Sequence, residues 1–386
     1  MRTLIYLLSL FLLPVSAGEA WLREHLWKHA SYTNSASIDR QLNEWSGRGR
    51  WDIAFIGDSE VRWGINPIAF SSALSKAGQP RWSTFNHAFD GFGGSWWSIL
   101  IPHVFDQDHP ANRPRFIALG VQMIEDHYFW DAASASQIVS NCGDLQKPVL
   151  KSPYAIDKGL HRVCDAEPDP LGAWVNDLVG QLWLIRYRSA VKSLVIPPGP
   201  GATLAFNSAK SGEGFQGYEP HRPIAVNPEE FEAEFERWKH QFEGHPQALT
   251  SLPVGTWERL VDYGGYFDRM AALIRATGAE PIFFALPTNP LVIDFFHRRE
   301  DYAKNTKLLK RWAADRGEIL VNLGIEDRAN ARLYFSDMRH LSYLGAGDFS
   351  GRLAVALSEE PVFRQRAGLP AARPELNKHE VAQNIQ

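Results

Sequence analysis

Three side chains with the chemistry of an acyl-transferring site stand at opposite ends of the sequence. Ser59 closes an apolar run in "AFIGDSEV", and Asp337 and His340 lie together in "SDMRHLSYLGAGDFS". A serine hydroxyl becomes a nucleophile when a neutral imidazole accepts its proton, and a carboxylate fixes the tautomer of that imidazole. The pattern therefore predicts Ser59 as nucleophile, His340 as general base and Asp337 as the acid that orients it. His87 and His127 are alternative bases.

Short apolar runs alternate with helical patterns around these residues. This alternation is typical of a parallel sheet with helices on both faces, a three-layer α/β/α fold. Ligands of such sheets bind at the carboxyl ends of the strands, where Ser59 falls and where Gly57 tolerates a sharp turn. Strands are predicted over residues 53–56, 81–85, 116–119, 281–286 and 319–323, and helices over 67–76, 228–242, 257–276, 302–315 and 343–357.

A long stretch, about residues 125–253, interrupts this order and includes a Gly/Pro/Ser-rich segment at 197–217. Loops of that length without a function are uncommon. We interpret it as an insertion on the strand-end side of the sheet, either a lid or substrate-binding subdomain or a decoration without a role. The α/β domain is predicted over residues 50–357, and residues 358–386 form a C-terminal tail.

The first residues have the pattern of an export signal. A basic second residue precedes a short apolar stretch and small residues, which predicts a signal peptide over residues 1–17 with cleavage after Ala17 or Ala20. The stretch is shorter than the roughly 20 residues that a membrane span needs, although an uncleaved anchor is the alternative. We expect a soluble periplasmic or secreted protein. In that oxidising compartment Cys142 and Cys164 are expected to form a disulfide, with two free thiols as the alternative.

Composition, charge and motif spacing argue against several classes of function. The chain has 386 residues, is 45% hydrophobic and 12% aromatic, and carries a net charge of -4 with acids and bases interspersed, which argues against nucleic-acid binding. The glycine run at 91–95 has neither the dinucleotide fingerprint nor a P-loop lysine. The histidines lack metal-ligand spacing, so neither a metal nor a cofactor is predicted. Trp63, Trp96 and Trp97 lie near the expected crevice and either stack on sugar rings or pack in the core.

Four motifs occur in the order found in the SGNH/GDSL hydrolase family, and the sequence resembles that family over about residues 50–125 and 255–357. "GDS" resembles the nucleophile block and "FNHAFDGFGG" the second block. Gln122, in "ALGVQ", stands where the family usually has asparagine, and Leu341 stands where it often has proline. The residues that match the family's blocks are Gly57, Asp58, Ser59, Gly91, Gly120, Asp337, His340 and Gly345.

The resemblance implies a flavodoxin-like fold and an oxyanion hole formed by the backbone N–H groups of Ser59 and Gly91, helped by Gln122, with Asp58 in support. "HLSYLGAGDFS" is similar to the branch that acylates exported polymers, which includes alginate O-acetyltransferases and the D-alanine-transfer proteins of teichoic acids. It implies O-acetylation of a periplasmic or extracellular polysaccharide through an acyl-enzyme, the acyl donor being delivered by a membrane-bound acyltransferase. The alternatives are a carbohydrate esterase and a non-catalytic polysaccharide-binding partner of an export complex.

Overall fold

A computed structural model describes most of the predicted α/β domain. Its continuous ranges are residues 51–89, 113–123, 228–243, 256–326 and 331–370, and its isolated positions are 16–18, 20, 45, 97, 100, 101, 104, 105 and 218. Most of the signal segment and of the insertion lies outside the described residues, and so do Gly91, Trp96, His127, Cys142 and Cys164.

The centre of the molecule is a five-stranded sheet in which every neighbouring pair is parallel. The strand order is β2-β1-β3-β4-β5, and Phe55 in β1 lies opposite Asn86 in β2 and Ala118 in β3. The prediction of an α/β fold with a parallel sheet is confirmed. The strands are β1 (Ile53–Ile56), β2 (Thr84–Asn86), β3 (Phe116–Val121), β4 (Glu280–Ala285) and β5 (Ile319–Val321).

Helices connect the strands and follow the last of them. None of the helices in the described ranges is long and apolar enough to cross a membrane. In chain order they are α1 (Ser59–Gly64), α2 (Pro67–Lys76), α3 (Pro228–Glu243), α4 (Thr256–Val261), α5 (Tyr266–Ala276), α6 (Pro290–Phe295), α7 (Arg299–Arg316), α8 (Ala331–Tyr334), α9 (Tyr343–Glu359) and α10 (Pro361–Ala367).

Both faces of the sheet are buried, which explains why strands such as β1 and β3 are continuous apolar runs rather than alternating ones. Ala54 and Ile56 of β1 belong to a core cluster shared with helices α4, α5 and α7. Ile53 and Phe55, which point to the opposite face, belong to a second cluster shared with α2, α9 and α10. A fully buried side chain of this kind contributes roughly 1.5–3 kcal/mol of hydrophobic stabilisation, so both layers hold the sheet.

Several boundaries differ from the sequence prediction. The helix predicted over 257–276 is two helices, because the chain turns between them at Gly264, whose φ is +69°. The strand predicted to begin at residue 81 begins at Thr84. Asp52 accepts from both the backbone N–H and the hydroxyl of Ser83, so the residue before the strand is held by a side chain in addition to the backbone N–H groups of Asp52 and Ile53, which donate to its carbonyl oxygen.

Helix α10 lies beyond the predicted end of the domain at residue 357 and packs against it. Its residue Phe363 is completely buried in the second core cluster. Arg115, just before β3, donates to the carbonyl oxygen of Ala367 at 3.1 Å, and Arg366 reaches Glu280 at the start of β4 at 3.0 Å. The packed domain therefore continues past residue 357 into the segment predicted as a tail.

Helix α3 falls inside the predicted insertion and docks on the domain. Phe231 is buried in the second core cluster, and Trp238 contacts the rings of Phe295 and Phe296 at the end of α6. The end of the insertion therefore packs beside the segment that follows β4.

Candidate functional site

Successive strands are added on one side of β1 up to β2 and on its other side from β3 onwards, so β1 and β3 are the pair at which the strand order changes direction. In open α/β sheets, ligands bind in the crevice at the carboxyl ends of such a pair. The chain leaves β1 through Gly57, Asp58 and Ser59, and it leaves β3 through Gln122. The sequence-predicted nucleophile therefore stands at the position in the sheet where chemistry is expected.

A glycine is required immediately after β1. Gly57 has φ of +155°, and a Cβ atom there would lie 2.2 Å from Cγ2 of Val61. The turn can then tighten enough for helix α1 to begin at Ser59. Asp58 caps that helix, since its Oδ1 accepts from the backbone N–H of Glu60 at 2.9 Å.

The far end of α1 is held by a residue of β2. Nδ2 of Asn86, which is completely buried, donates to the carbonyl oxygens of Val61, Arg62 and Ile65 at 2.9, 3.1 and 2.9 Å. These carbonyl groups include those left without intrahelical partners at a helix C-terminus. Asn86 thereby attaches helix α1, which begins at Ser59, to the sheet.

The second part of the site is the turn from Asp337 to His340. Oδ1 of Asp337 accepts from the backbone N–H groups of Arg339 and His340 at 2.7 and 2.8 Å. This leaves the other carboxylate oxygen, Oδ2, to face Nδ1 of the His340 ring at 2.7 Å. The side chain of Asp337 therefore stabilises the turn in which it lies and orients the imidazole of His340.

Helix α9 and the residues before it hold this turn in place. Ser342 donates its backbone N–H to the carbonyl oxygen of Tyr334 at 2.7 Å and caps α9 by accepting from the N–H of Gly345. A Cβ atom on Gly345 would lie 2.2 Å from that same carbonyl oxygen. Glycine at this position therefore permits the close approach of α9 to the chain that leads into the Asp337–His340 turn.

The two parts of the site meet through Ser59 and His340. Oγ of Ser59 lies 2.8 Å from Nε2 of His340. The hydroxyl of Ser59, the imidazole of His340 and the carboxylate of Asp337 therefore form one continuous chain of hydrogen bonds. The ring of Trp63, one helical turn after Ser59, packs against the His340 ring with centroids 4.1 Å apart. The imidazole is therefore held by a hydrogen bond at each nitrogen and by an aromatic ring at its side.

Charges around the imidazole favour its protonated form. Burial lowers the pKa of His340, but the hydrogen bond and the charge of Asp337, with help from Glu60 and Asp58, outweigh it and raise the pKa above its ordinary value of 6.5. Burial raises the pKa of Asp337, whereas its hydrogen bonds to His340 and Arg339 and the charge of His340 bring the pKa below its usual range. Asp337 is thus ionised beside a histidine ready to accept a proton.

Asp58 and Gln122, predicted respectively as a supporting residue and as an oxyanion donor, contact each other. Nε2 of Gln122 donates to Oδ2 of Asp58 at 2.7 Å. One amide hydrogen of Gln122 is therefore directed at the nucleophile turn. Gly120, the last but one residue of β3, lies where a Cβ atom would be 2.3 Å from Cγ2 of Val61. Gly91 lies outside the described residues.

The tryptophans predicted as sugar contacts occupy different environments. Trp97 is completely buried, and its indole N–H donates to the carbonyl oxygen of Gly57 at 2.9 Å. It presents no surface to a sugar ring, so that role for Trp97 is corrected to support of the turn before the nucleophile. Trp63 is half-buried and lies on His340. Trp96 lies outside the described residues.

Of the two alternative bases, one is buried without a hydrogen bond to Ser59 and the other lies outside the described residues. His87 is completely buried among aromatic rings, including those of Trp45 and Phe89. Burial lowers its pKa to about 3. His127 is not among the described residues. Within the described ranges, no three His, Cys, Asp or Glu side chains gather in the way that metal ligands do.

Sequence reasoning missed two residues that shape the site. Asn86 is a polar residue at the end of an apolar run, and that is its only signal in the sequence. Arg339 lies inside the Asp337–His340 spacing, and burial lowers the pKa of its guanidinium while the charges of Glu60 and Asp58 raise it. Its positive charge therefore lies near the carboxylates of the nucleophile turn.

No family model matches the sequence, and a search of curated proteins finds no match. The chemistry of the site therefore has to be inferred from its own residues and distances.

Proposed function

We propose that the protein is a serine acyl-enzyme catalyst that acetylates hydroxyl groups of a periplasmic or extracellular polysaccharide. The observation that carries the proposal is the hydrogen-bonded chain in which Ser59 Oγ lies 2.8 Å from His340 Nε2 and His340 Nδ1 lies 2.7 Å from Asp337 Oδ2. Nucleophile, base and orienting acid at these distances are the arrangement that activates a serine for acyl transfer.

In the first step Oγ of Ser59 bonds to the carbonyl carbon of the acyl donor while its proton passes to Nε2 of His340. The π electrons of the carbonyl group move onto its oxygen, and the backbone N–H of Ser59 is the proposed donor that stabilises the charge. The intermediate collapses, the bond to the leaving group breaks, and His340 returns the proton to the leaving group. Ser59 then carries the acyl group as an ester.

In the second step a sugar hydroxyl attacks this ester and gives its proton to His340. The bond to Ser59 Oγ breaks, and Oγ takes the proton back. Asp337 stays ionised throughout and stabilises the imidazolium that forms twice in the cycle. No group beyond this chain, the acyl donor and the acceptor is needed to balance either step.

Two further considerations support this assignment. The strand order is that of flavodoxin-like sheets, the fold that the resemblance to SGNH/GDSL hydrolases implies. The segment "HLSYLGAGDFS" is similar to the branch that acylates exported polymers, and the N-terminal pattern predicts export. Periplasmic or extracellular polysaccharide is therefore the proposed acceptor, and a membrane-bound acyltransferase is the proposed source of the acyl donor.

Hydrolysis of acetyl esters is the second candidate, and the exposure of the site favours it. The side chain of Asp337 is 48% exposed, whereas that of His340 is 17% exposed. Water therefore reaches the outer edge of the catalytic chain. A water molecule that replaces the sugar hydroxyl in the second step would make the protein an esterase.

Covalent labelling tests the proposed chemistry. Incubation with p-nitrophenyl acetate followed by intact mass measurement should show one acetyl adduct, absent in Ser59→Ala and present in Ser72→Ala, which removes an exposed serine of α2. Lack of an adduct in the wild-type protein, or an adduct in Ser59→Ala, contradicts the proposal. A protein that forms no adduct and binds polysaccharide would instead be a non-catalytic partner.

The fate of the acetyl group separates the two candidates. Polysaccharide added to the acetylated protein should appear acetylated by nuclear magnetic resonance if the protein is a transferase. Acetate released into solution, with the polysaccharide unchanged, identifies an esterase.

A further inference from the structure

Helix α1 carries two side chains of the site on one of its faces. Ser59 and Trp63 lie four residues apart in this helix, and residues with that spacing are neighbours on a helix surface. The Cα–Cβ bonds of a helix tilt towards its N-terminus, so the ring of Trp63 is directed back towards the turn that begins at Ser59. It therefore contacts the same imidazole as the Ser59 hydroxyl, that of His340.

The contact between the rings of Trp63 and His340 is close. Their centroids lie 4.1 Å apart and their planes are inclined by 41°. Ring pairs that meet offset or edge to face have centroids about 4.5–7 Å apart, so at the shorter distance the imidazole overlaps the face of the indole. That face is electron-rich and attracts a cation within about 6 Å of the ring centre. The contact therefore favours the imidazolium over the neutral imidazole.

Both rings are held by the elements that carry them. Asn86 binds carbonyl oxygens on either side of Trp63 in the sequence, those of Arg62 and Ile65. The His340 ring is held at Nδ1 by Asp337. The ring pair is therefore fixed from the sheet on one side and from the turn before α9 on the other.

The charged groups around His340 come from its own turn and from the nucleophile turn. Burial lowers the pKa of His340, and the carboxylates of Asp337, Glu60 and Asp58 raise it. Arg339 is the cation among these groups, and its charge interacts with Glu60 and Asp58. The indole is the uncharged group that faces the ring itself.

A ring face alone is weak beside the cost of burying an unpaired cation. His87 also lies against a tryptophan, with 4.9 Å between its centroid and that of Trp45, but its ring nitrogens have no hydrogen-bond partner in the described ranges. His340 differs because Asp337 accepts from its Nδ1 when the ring is protonated. The face of Trp63 therefore adds to a stabilisation that a carboxylate already supplies.

We propose that Trp63 is a positioning residue that holds the imidazole of His340 towards Ser59 and stabilises the imidazolium through the face of its indole. The inference rests on the proposed function, in which His340 takes up a proton in each step and returns it. It assigns Trp63 to the base and not to a sugar ring.

The protonation of His340 can be measured without a substrate. Nuclear magnetic resonance of protein labelled in its histidine rings follows each imidazole with pH, and the signal missing in His340→Gln identifies the base. Trp63→Leu keeps an apolar side chain and removes the ring face, so the midpoint should fall by about half a pH unit to one pH unit. Greater exposure to water would move the midpoint upwards, because burial lowers the pKa of His340. The sign of the shift therefore separates the two effects.

Two further variants isolate the ring face. Trp63→Phe keeps a weaker face and should give a smaller fall. A ring-fluorinated tryptophan at position 63 keeps the shape of the indole while fluorine withdraws electron density from its face, so it should also lower the midpoint, and it decides the question if Trp63→Leu does not fold. Trp238→Leu removes a half-buried tryptophan of α3 as control and should keep the wild-type midpoint.

The acetyl adduct and the pH profile of kcat/KM, measured on the same preparations, separate two failures. An adduct on Ser59 together with midpoints that fall in both measurements supports the inference. If the adduct forms but the midpoint stays or rises in Trp63→Leu and in the fluorinated protein, Trp63 only packs on the imidazole and this inference is overturned alone. An unchanged midpoint with a higher KM for polysaccharide overturns it in favour of a sugar contact. If the wild-type protein forms no adduct, the proposed function is wrong and the inference is wrong with it.

Discussion

Substitution of His87 by phenylalanine is expected to make the folded protein less sensitive to acid. The imidazole is completely buried, with the Trp45 ring 4.9 Å and the Phe89 ring 5.2 Å away between centroids. Neither ring nitrogen has a hydrogen-bond partner in the described ranges. Burial lowers the pKa of His87 to about 3, because nothing in this apolar surrounding replaces the hydration of the imidazolium.

The direction of the effect is set by where the proton binds. The unfolded chain takes up a proton near the ordinary histidine value of 6.5, and the folded protein does so only near 3. Between these values the unfolded state binds more protons, so falling pH favours unfolding. The contribution to stability is complete above pH 6.5 and is lost down to about pH 3. The loss is about 1.4 kcal/mol per pH unit and about 5 kcal/mol in all.

Urea unfolding followed by tryptophan fluorescence measures this contribution. Between about pH 7 and about pH 4.5 the wild-type protein should lose about 3 kcal/mol more of its unfolding free energy than His87→Phe. Phenylalanine is larger than histidine and can lower stability at every pH, so the readout is the difference between the two pH values. His240→Gln removes an exposed histidine as control. Equal losses in wild type and His87→Phe would refute the reasoning.

Two predictions concern the catalytic turn. The pKa of His340 is raised above 6.5, so kcat/KM for p-nitrophenyl acetate should rise with pH through a midpoint above that value. Asp337→Asn should move the midpoint down and reduce the rate by about a thousandfold or more, and an unchanged midpoint would contradict the role of Asp337. Gly345→Ala places a Cβ atom 2.2 Å from the carbonyl oxygen of Tyr334 and should cost about 1–3 kcal/mol of stability. Gly347→Ala, where a Cβ atom meets nothing within 4 Å, should unfold at or slightly above the wild-type temperature, because alanine favours the interior of a helix.

Strands buried on both faces were the easiest elements to predict. Strand β1 occupies the predicted residues 53–56, and helix α2 occupies the predicted residues 67–76. The strand is a continuous apolar run between turn residues, and the helix has a capping Asn66 followed by Pro67, which fixes its start. Local chemistry determines both boundaries, so the sequence is sufficient for them.

Elements whose bounds depend on other parts of the chain were predicted less well. Helix α6 was not predicted, because six residues are too few to show a helical period. The start of β2 depends on the contact between Asp52 and Ser83, which lie 31 residues apart in the sequence. Periodicity carries no information about a side-chain contact between residues so far apart in the sequence.

The candidate site divides in the same way. Ser59, Asp337 and His340 could be found from residue type and position because their chemistry is specific. Asn86 could not, because asparagine caps and turns occur throughout proteins. Its importance comes from its contacts, since it holds three carbonyl groups of the nucleophile helix.

The position of the nucleophile depends on two glycines that leave room for the side chain of Val61. Val61 stands two residues after Ser59, and its Cγ2 lies 2.2 Å and 2.3 Å from the points where Cβ atoms of Gly57 and Gly120 would be. A larger residue at either glycine would push α1 away from the sheet. Because Ser59 begins that helix, the shift would carry Oγ away from Nε2 of His340, which is held independently by Asp337 and α9. The two glycines therefore serve the chemistry through the packing of Val61, without touching a substrate.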